Sequence, residues 1–412
     1  MKLTFVSNYF NHHQRPVSEA FANTEGVEYT FIQTEDMEEE RVRMGWAIDI
    51  TRYPYVKVWK GNEEECRTLI MDSDVVIWGG LEMEEEIEPR LQANKLTFRY
   101  SERIYKEGQW KFISPRGLKK KYHDHIRYRR SNVYLLCSGA FVGSDFKLIH
   151  AYPKKKFVWG YFPEVKHYDI DELMAKKSKD GEAVRMLWAG RMIDWKHPEF
   201  AIEAADKLLH GDPTQRFPGR LAEQGGFMLT MAGGGDMEEE LKRMVRERGL
   251  ESVVRFTGFM SPEEIRAEME RSDIFLFTSD EKEGWGAVLN EAMNSGCLVV
   301  ARPFIGAVPY MVQQGWNGVV CDNNMSGFCR TVYGAVLNRE GCREKGRRAY
   351  ETMIKYWNAE NATAQFLRVA KSLLAGKGFE YSEKDKESWA LQPMCKDPEI
   401  GLSDAARFVR RW

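Results

Sequence analysis

Residues 273–302 read "DIFLFTSDEKEGWGAVLNEAMNSGCLVVAR". Ile274 to Phe277 and Leu298 to Ala301 are short apolar, β-rich runs. Between them lie a glycine-punctuated polar loop and a stretch of helical spacing that Gly296 is placed to end. Strand, helix and strand of these lengths make the crossover unit of a parallel sheet. In such sheets ligands bind beyond the carboxy ends of the strands, where helix amino termini offer free N–H groups to anions. Glu283 falls in the loop at the mouth of that site, and Glu291 one turn inside the helix. Helical side chains lean toward the amino end, so Glu291 reaches back to the same place. Two carboxylates beside an anion site are unfavourable unless they bind hydroxyls, and the pair therefore predicts a sugar or ribose next to phosphate.

The same alternation runs in both directions from this stretch. Upstream within the second half it includes "VRMLWAG", "GFMLTMAGGG" and "VVRFTGF", and downstream "NGVVCD". The first half repeats it with "LTFVSN", "EYTFIQ", "YVKVW", "DVVIWGG", "KLTFRY" and "VYLLCSG". At 412 residues the chain has material for two cores. The reading is an α/β protein with an amino-terminal Rossmann-like domain over 1–170, a second over 171–376, and a charged, aromatic-containing tail over 377–412. Two such domains imply a cleft.

Lys and Arg nearly balance Asp and Glu, leaving a formal charge of -2, so no global field favours nucleic acid. The seven cysteines are odd in number and show no CxxC pair, which predicts reduced thiols in a cytoplasmic protein. The amino terminus turns polar after one short strand, and no run approaches the roughly 18 apolar residues that cross a bilayer. No HExxH or clustered ligand pattern predicts a metal.

A second constellation is "LWAGRMIDWKHPE", where a strand ends in glycine and is followed by Arg191 and, five residues on, Lys196. Pro198 suits the first turn of a helix, so both cations lie in the strand-to-helix loop. Arginine pairs bidentately with a diphosphate and lysine adds a compact charge; together they neutralise a leaving group without a metal ion.

Taken in order, "AGR" with Lys five residues on, "AGGGDMEEEL", "VRFTGFMSPEEI", and "EGWGAVLNEAMNSG" followed by "LVVARPFIGAVPYMV" resemble glycosyltransferase family 4, the retaining glycosyl transferases group 1 of GT-B fold. The resemblance is strong over about 185 to 320 and architectural over 1 to 165. It implies two facing Rossmann-like domains, the second binding a nucleotide-diphosphate sugar, UDP-sugar first and GDP-sugar second, and the first binding a saccharide or lipid-linked acceptor. It implies no cofactor, and a setting in bacterial surface polysaccharide or glycolipid synthesis. By the same resemblance Arg191 and Lys196 hold the donor diphosphate, Glu283 contacts donor-sugar hydroxyls, and Glu291 binds the ribose. Gly284, Trp285, Gly286 and Ala287 bring backbone close to sugar and phosphates. Retention is attributed to same-face attack assisted by the departing phosphate.

Other stretches allow two readings. Gly233 in "AGGGD" either lines the donor pocket or makes a tight turn, and Gly258, Phe259 and Met260 either touch the base or merely precede a Ser-Pro helix start. On the acceptor side, His12 and His13 in "SNYFNHHQRP" follow the first strand, in a loop where the family often has glycines and this chain has none. Ser101 and Glu102 follow another strand, and Glu102 orients an acceptor hydroxyl or forms a salt bridge. The run "KFISPRGLKKKYHDHIRYRRSNVY" interleaves Lys119, Lys120, Lys121, Arg127, Arg129 and Arg130 with Tyr122, Ile126 and Tyr128. It is a solvated helix face or a peripheral contact with anionic membrane. Competing functions are a noncatalytic nucleotide-sugar-binding partner subunit and a GT-B nucleotide-sugar 2-epimerase. A dehydrogenase is disfavoured, because the first strand ends in "VSNYF" rather than GxGxxG.

Overall fold

The computed structural model describes residues 1–37, 48–212, 226–379 and 392–405. The chain divides into two units, Met1–Glu164 with Tyr356–Gly401, and Val165–Lys355 with Leu402–Trp412.

The first unit is built on seven strands, β1 (Lys2–Ser7), β2 (Glu28–Gln33), β3 (Val56–Val58), β4 (Val75–Trp78), β5 (Thr97–Ser101), β6 (Val133–Ser138) and β7 (Lys156–Trp159). They pair in parallel in the order β3-β2-β1-β4-β5-β6-β7. All four residues of β4 are buried, the continuous rather than alternating burial of a strand covered on both faces. The order reverses between β1 and β4, which places the loops after these strands at a switch point.

The second unit has six parallel strands, β8 (Val184–Ala189), β9 (Phe227–Ala232), β10 (Val254–Gly258), β11 (Ile274–Phe277), β12 (Leu298–Ala301) and β13 (Val319–Val320). Their order is β10-β9-β8-β11-β12-β13, with the reversal between β8 and β11. Met186, Trp188, Leu229, Met231, Leu276 and Val300 bury against Ile202, Leu241 and Phe328 from flanking helices. Each such side chain contributes about 1.5–3 kcal/mol of burial. Helix Val288–Asn294 ends in a Schellman motif: Gly296 takes φ +67°, its N–H donates to the Met293 carbonyl, and Cys297 N–H donates to Ala292. Helix Pro262–Arg271 starts from a Ser261/Glu264 capping box. Both sheets are the doubly wound parallel type read from the sequence.

The domain limits differ from the expected 171–376. Helix Ala359–Leu374 groups with the first unit, because its fully buried Phe366 packs on Phe21, Phe98 and Trp159, with ring centroids 5.4, 4.7 and 5.9 Å apart. Of the expected tail, residues 392–401 also lie in the first unit, while 380–391 and 406–412 fall outside the described residues. Met394 and Asp397 N–H donate to carbonyls of β7, Val158 N–H donates to Cys395, and Lys156 pairs with Glu399 at 2.7 Å. This segment covers the open edge of β7. Among the described residues no helix is long and apolar enough to cross a membrane.

Candidate active site

The reversal between β8 and β11 brings together the loops that carry three of the predicted donor-side residues. Lys196 Nζ forms an ion pair with Glu283 Oε2, and Ser279 Oγ donates to the same carboxylate oxygen at 3.0 Å. Glu283 is buried at 8 % exposure, whereas Arg191 is exposed and makes no side-chain hydrogen bond or ion pair among the described residues. The two loops are stitched by side-chain and backbone hydrogen bonds. Trp188 Nε1 donates to Thr278 Oγ1 at 2.8 Å, that hydroxyl donates to the Lys196 carbonyl at 2.7 Å, and Asp280 N–H donates to the Trp195 carbonyl at 3.0 Å. Lys196 is thereby held on a fixed backbone over the Trp195 ring, 4.7 Å from its centroid.

His197, which sequence reasoning passed over, is the residue next to Lys196 and adopts left-handed φ +49°. Its Nδ1 meets Glu199 at 2.9 Å and its Nε2 meets Asp280 at 3.4 Å. These bonds, the one to Asp280 foremost, push the imidazole up to about 9, so it is cationic at neutral pH. For Asp280, burial pulls upward most strongly, but the His197 hydrogen bond, the Lys282 N–H and the charges of His197 and Lys282 together hold the carboxyl below its usual value. A polar residue directly after Lys196 and an acid directly after the strand-end Thr278–Ser279 pair were the available signals.

Glu291 projects from helix Val288–Asn294 and is partly buried, 4.0 Å from Arg266. Burial pushes its carboxyl above the usual value, against the pull of Arg266 and Lys166. Trp285 is fully buried, and its Nε1 donates to Asn290 Oδ1 at 2.9 Å, anchoring the loop from inside. Gly286 takes φ +90°, and Ala287 caps the helix. Gly306 N–H donates to the Glu283 carbonyl at 3.2 Å and Ala307 N–H to the Trp285 carbonyl at 3.1 Å, so the loop after β12 backs the glutamate loop. A side chain at Gly306 would collide with the Gly284 carbonyl.

The glycines of "AGGGD" have a packing role. Gly233, at φ +121°, approaches the Gly190 carbonyl too closely for any Cβ, and a Cβ on Gly235 would lie 2.6 Å from the Met192 carbonyl oxygen. Met192 N–H donates to Gly234 at 2.8 Å and Gly233 N–H to Gly258 at 2.8 Å, joining the loops after β8, β9 and β10. Gly258 takes φ +68° in open space, Phe259 is 66 % exposed, and Met260 is half-buried just before the Ser261 cap.

In the first unit, Glu102 accepts hydrogen bonds from both Lys106 and the Tyr161 hydroxyl. The salt bridge foreseen as one reading is therefore present, while the carboxylate remains about 29 % exposed. Ser101 Oγ turns to the Glu102 carbonyl at 2.8 Å. The His13 ring lies parallel to Tyr161 with centroids 6.0 Å apart, and His12 packs on His13 at 3.9 Å. Burial, with Arg15 nearby, lowers His12 to about 4 and keeps it neutral. Tyr161, two residues beyond β7, is the member of this cluster that the sequence did not reveal. Burial and then Glu102 push its phenol well up, so it stays a donor.

The basic run is a broken segment, with 3-10 helix Gln109–Ile113, α-helix Pro115–Lys121 and π-helix Tyr122–Ile126, rather than one helix face. Two of its expected free cations form ion pairs, Arg127 with Glu88 at 2.9 Å and Lys120 with Glu82 at 3.1 Å, and Lys121 is half-buried, with burial lowering its pKa. Ile126 and Tyr128 pack inward on the core. Among the described residues no group of three or more His, Cys, Asp or Glu is arranged to hold a metal ion. All seven cysteines are free thiols.

Residues 169–351, which contain every donor-side residue above, match the family model Glycosyl transferases group 1. Among curated proteins the chain is 36 % identical over 143 residues to the amylovoran biosynthesis glycosyltransferase AmsK of Erwinia amylovora, covering 33 % of this chain and 32 % of that protein. It is 24 % identical over 199 residues to the lipopolysaccharide core biosynthesis glycosyltransferase LpsE of Rhizobium meliloti, covering 48 % and 53 %. The chain thus spans a third to about half the length of the curated relatives it matches. Among solved structures it resembles Anabaena Alr3699/HepE in complex with UDP, with TM-score 0.63, 14 % identity and coverage of 90 % of this chain and all of that one. The fold is that of the GT-B glycosyltransferases.

Proposed function

We propose that this protein is a retaining glycosyltransferase that moves a hexosyl group from a nucleotide-diphosphate sugar to a saccharide or lipid-linked acceptor. UDP-sugar is the favoured donor, and bacterial surface polysaccharide or glycolipid synthesis is the setting. The observation that carries the reading is the Lys196–Glu283 pair at the β8/β11 reversal, with Arg191 exposed beside it in sequence and Glu291 behind it on the following helix. The match of 169–351 to a glycosyltransferase family supports it, as do relatives named for exopolysaccharide and lipopolysaccharide synthesis and a UDP complex of the same fold.

In this reading the donor diphosphate takes its counter-charge from Arg191 and Lys196. The bond from the anomeric carbon to the β-phosphate oxygen breaks, the acceptor oxygen bonds to that carbon from the same face, and the acceptor proton passes to the departing phosphate. The sugar becomes oxocarbenium-like as the leaving group gains charge, so cations held on a rigid loop stabilise the transition state more than the ground state. Glu283, oriented by Ser279 and Lys196, receives donor-sugar hydroxyls. Glu291 receives the ribose, and the exposed Phe259 ring offers a face to the base. No metal is required for these roles. Acceptor recognition is assigned to the first unit, with Glu102 as the hydroxyl-orienting carboxylate. The seven free thiols suit a cytoplasmic location.

The test is a screen of UDP-, GDP- and ADP-sugars by thermal shift and by release of nucleoside diphosphate, with wild type beside Arg191→Ala. Stabilisation and turnover with one donor, with turnover cut at least about 100-fold in the variant, is the expected result. Binding without turnover, in the presence of cell-derived glycan and lipid acceptors, would instead identify a noncatalytic nucleotide-sugar-binding subunit.

A further inference from the structure

Six large apolar side chains are exposed among the described residues, and three of them, Trp110, Ile113 and Tyr122, fall between Gln109 and Tyr122 at 69 %, 65 % and 58 % exposure. Such a concentration differs from the scattered exposed leucines that any surface carries. The segment is not a loosely attached loop. Phe112, Leu118, Ile126 and Tyr128 pack inward on the core of the first unit. Arg103, almost fully buried, pairs with Asp145, and Gln109 donates to the same Asp145 at 2.8 Å, so the segment's start is tied down. Arg99 and Glu84 form a two-point pair, and Arg99 also donates to the Asp124 carbonyl at 3.2 Å, fixing its end. With inward positions already filled by apolar residues, Trp110, Ile113 and Tyr122 remain outward on a rigid support.

Cations flank them. Arg116, Lys119, Arg129 and Arg130 are exposed and make no ion pair among the described residues, and Lys120 reaches only the highly exposed Glu82 at 3.1 Å. Lys111 lies over the Trp110 ring, 6.0 Å from its centroid. The chain as a whole carries a formal charge of -2, so this excess is local.

We propose that the segment from Gln109 to Arg130 docks the first unit on an anionic lipid bilayer. Trp110, Tyr122 and Ile113 enter the headgroup region, and Arg116, Lys119, Arg129 and Arg130 face the anionic lipids. Tryptophan and tyrosine rings suit the boundary between water and hydrocarbon, and unpaired cations supply attraction that extends about one Debye length. Charge decides against a second copy as the occupant: an isologous contact sets the same patch against itself, and here that opposes like charges. The contact is peripheral.

The experiment is cosedimentation of the full chain with vesicles of phosphatidylcholine alone or with about 30 % phosphatidylglycerol, at low and high salt. It needs no sugar donor, so its outcome is independent of the transferase reading. Wild type is expected to bind the anionic vesicles at least about tenfold more strongly than neutral ones and to release as salt rises. Trp110→Ser with Ile113→Ser, and separately Arg116→Glu with Lys119→Glu, each weaken binding about tenfold with unchanged Tm, because these side chains are exposed. Equal sedimentation with neutral and anionic vesicles at low salt would overturn the proposal, as would variants that bind like wild type. A concentration-dependent dimer lost in the Trp110/Ile113 variant would overturn it too, by giving the face to a second copy.

Discussion

Lys196 and Glu283, 87 positions apart in the chain, form an ion pair where the strand order of the second sheet reverses. The pair joins the two side chains assigned to the donor's diphosphate and its sugar. On the proposed roles, binding of one part of the donor is coupled to the position of the other. Lys196→Ala and Glu283→Gln are each expected to lower kcat/KM at least about 100-fold, and the double variant to lose clearly less than the product of the two. A double-mutant cycle on donor turnover measures this; full multiplicativity would mean that the residues act separately.

Glu291 sits where burial raises its carboxyl. A group whose folded pKa lies above its unfolded value contributes stability below the unfolded value and loses it as pH rises through the folded one. Glu291→Gln should therefore melt at or above wild type at neutral pH, with the gain vanishing as pH falls into the ordinary glutamate range. On the proposed role of Glu291 toward the ribose, the same variant should also bind nucleotide more weakly. Thermal melts across pH, with and without nucleotide, check both halves.

His197 is clamped by Asp280 and Glu199 in a left-handed conformation. Its pKa is raised to about 9, so the stability it lends is complete below the imidazole's usual 6.5 or so and is lost as pH rises through about 9. His197→Ala should lower Tm at pH 6 and converge toward wild type above about pH 9. His197→Gly should be more stable than His197→Ala by about 1 kcal/mol, since only glycine adopts this φ without strain. Equal melting of Gly and Ala variants would show that the backbone relaxes.

Gly233 and Gly258 both take positive φ, but their surroundings differ. Gly258→Ala meets open space and should cost about 1 kcal/mol of backbone strain. Gly233→Ala must also push away the Gly190 carbonyl, next to Arg191, so it should cost about 2–3 kcal/mol and weaken donor binding. Denaturant melts and donor KM separate the two effects.

Phe366 is fully buried against aromatic rings of the first unit. Phe366→Ala should destabilise that unit by about 3–5 kcal/mol. Hydrogen exchange should then report loss of protection in helix Arg15–Ala22, β5 and β7 rather than in the second sheet; the opposite pattern would contradict the placement of this helix.

Much of this architecture was legible locally. The strands appear where the apolar runs lie, and Gly296 and Ser261 punctuate helices as their types require, because torsional preference and hydrophobic period act over neighbours within a few turns. The same local rules placed Arg191, Lys196 and Glu283 in loops at strand ends and Glu291 on a helix. What no local pattern contained was the choice of partner. An amphipathic helix at 359–374 must bury a face, but only the first sheet's Phe98 and Trp159 determined which unit received it. Glu102 could orient a ligand or pair with a cation; its pairing with Lys106, four residues on, is local, whereas the meeting with Tyr161 followed from β5 and β7 flanking β6. The basic run fits either a solvated helix face or a membrane contact by sequence; core packing turned Ile126 and Tyr128 inward and left Trp110 and Ile113 outside. The sequence by itself determined which segments become strands, helices and loops, since those depend on adjacent residues. Strand order and packing decided which side chains, distant in the chain, share a site, since that depends on the burial of surfaces that only the assembled sheets create.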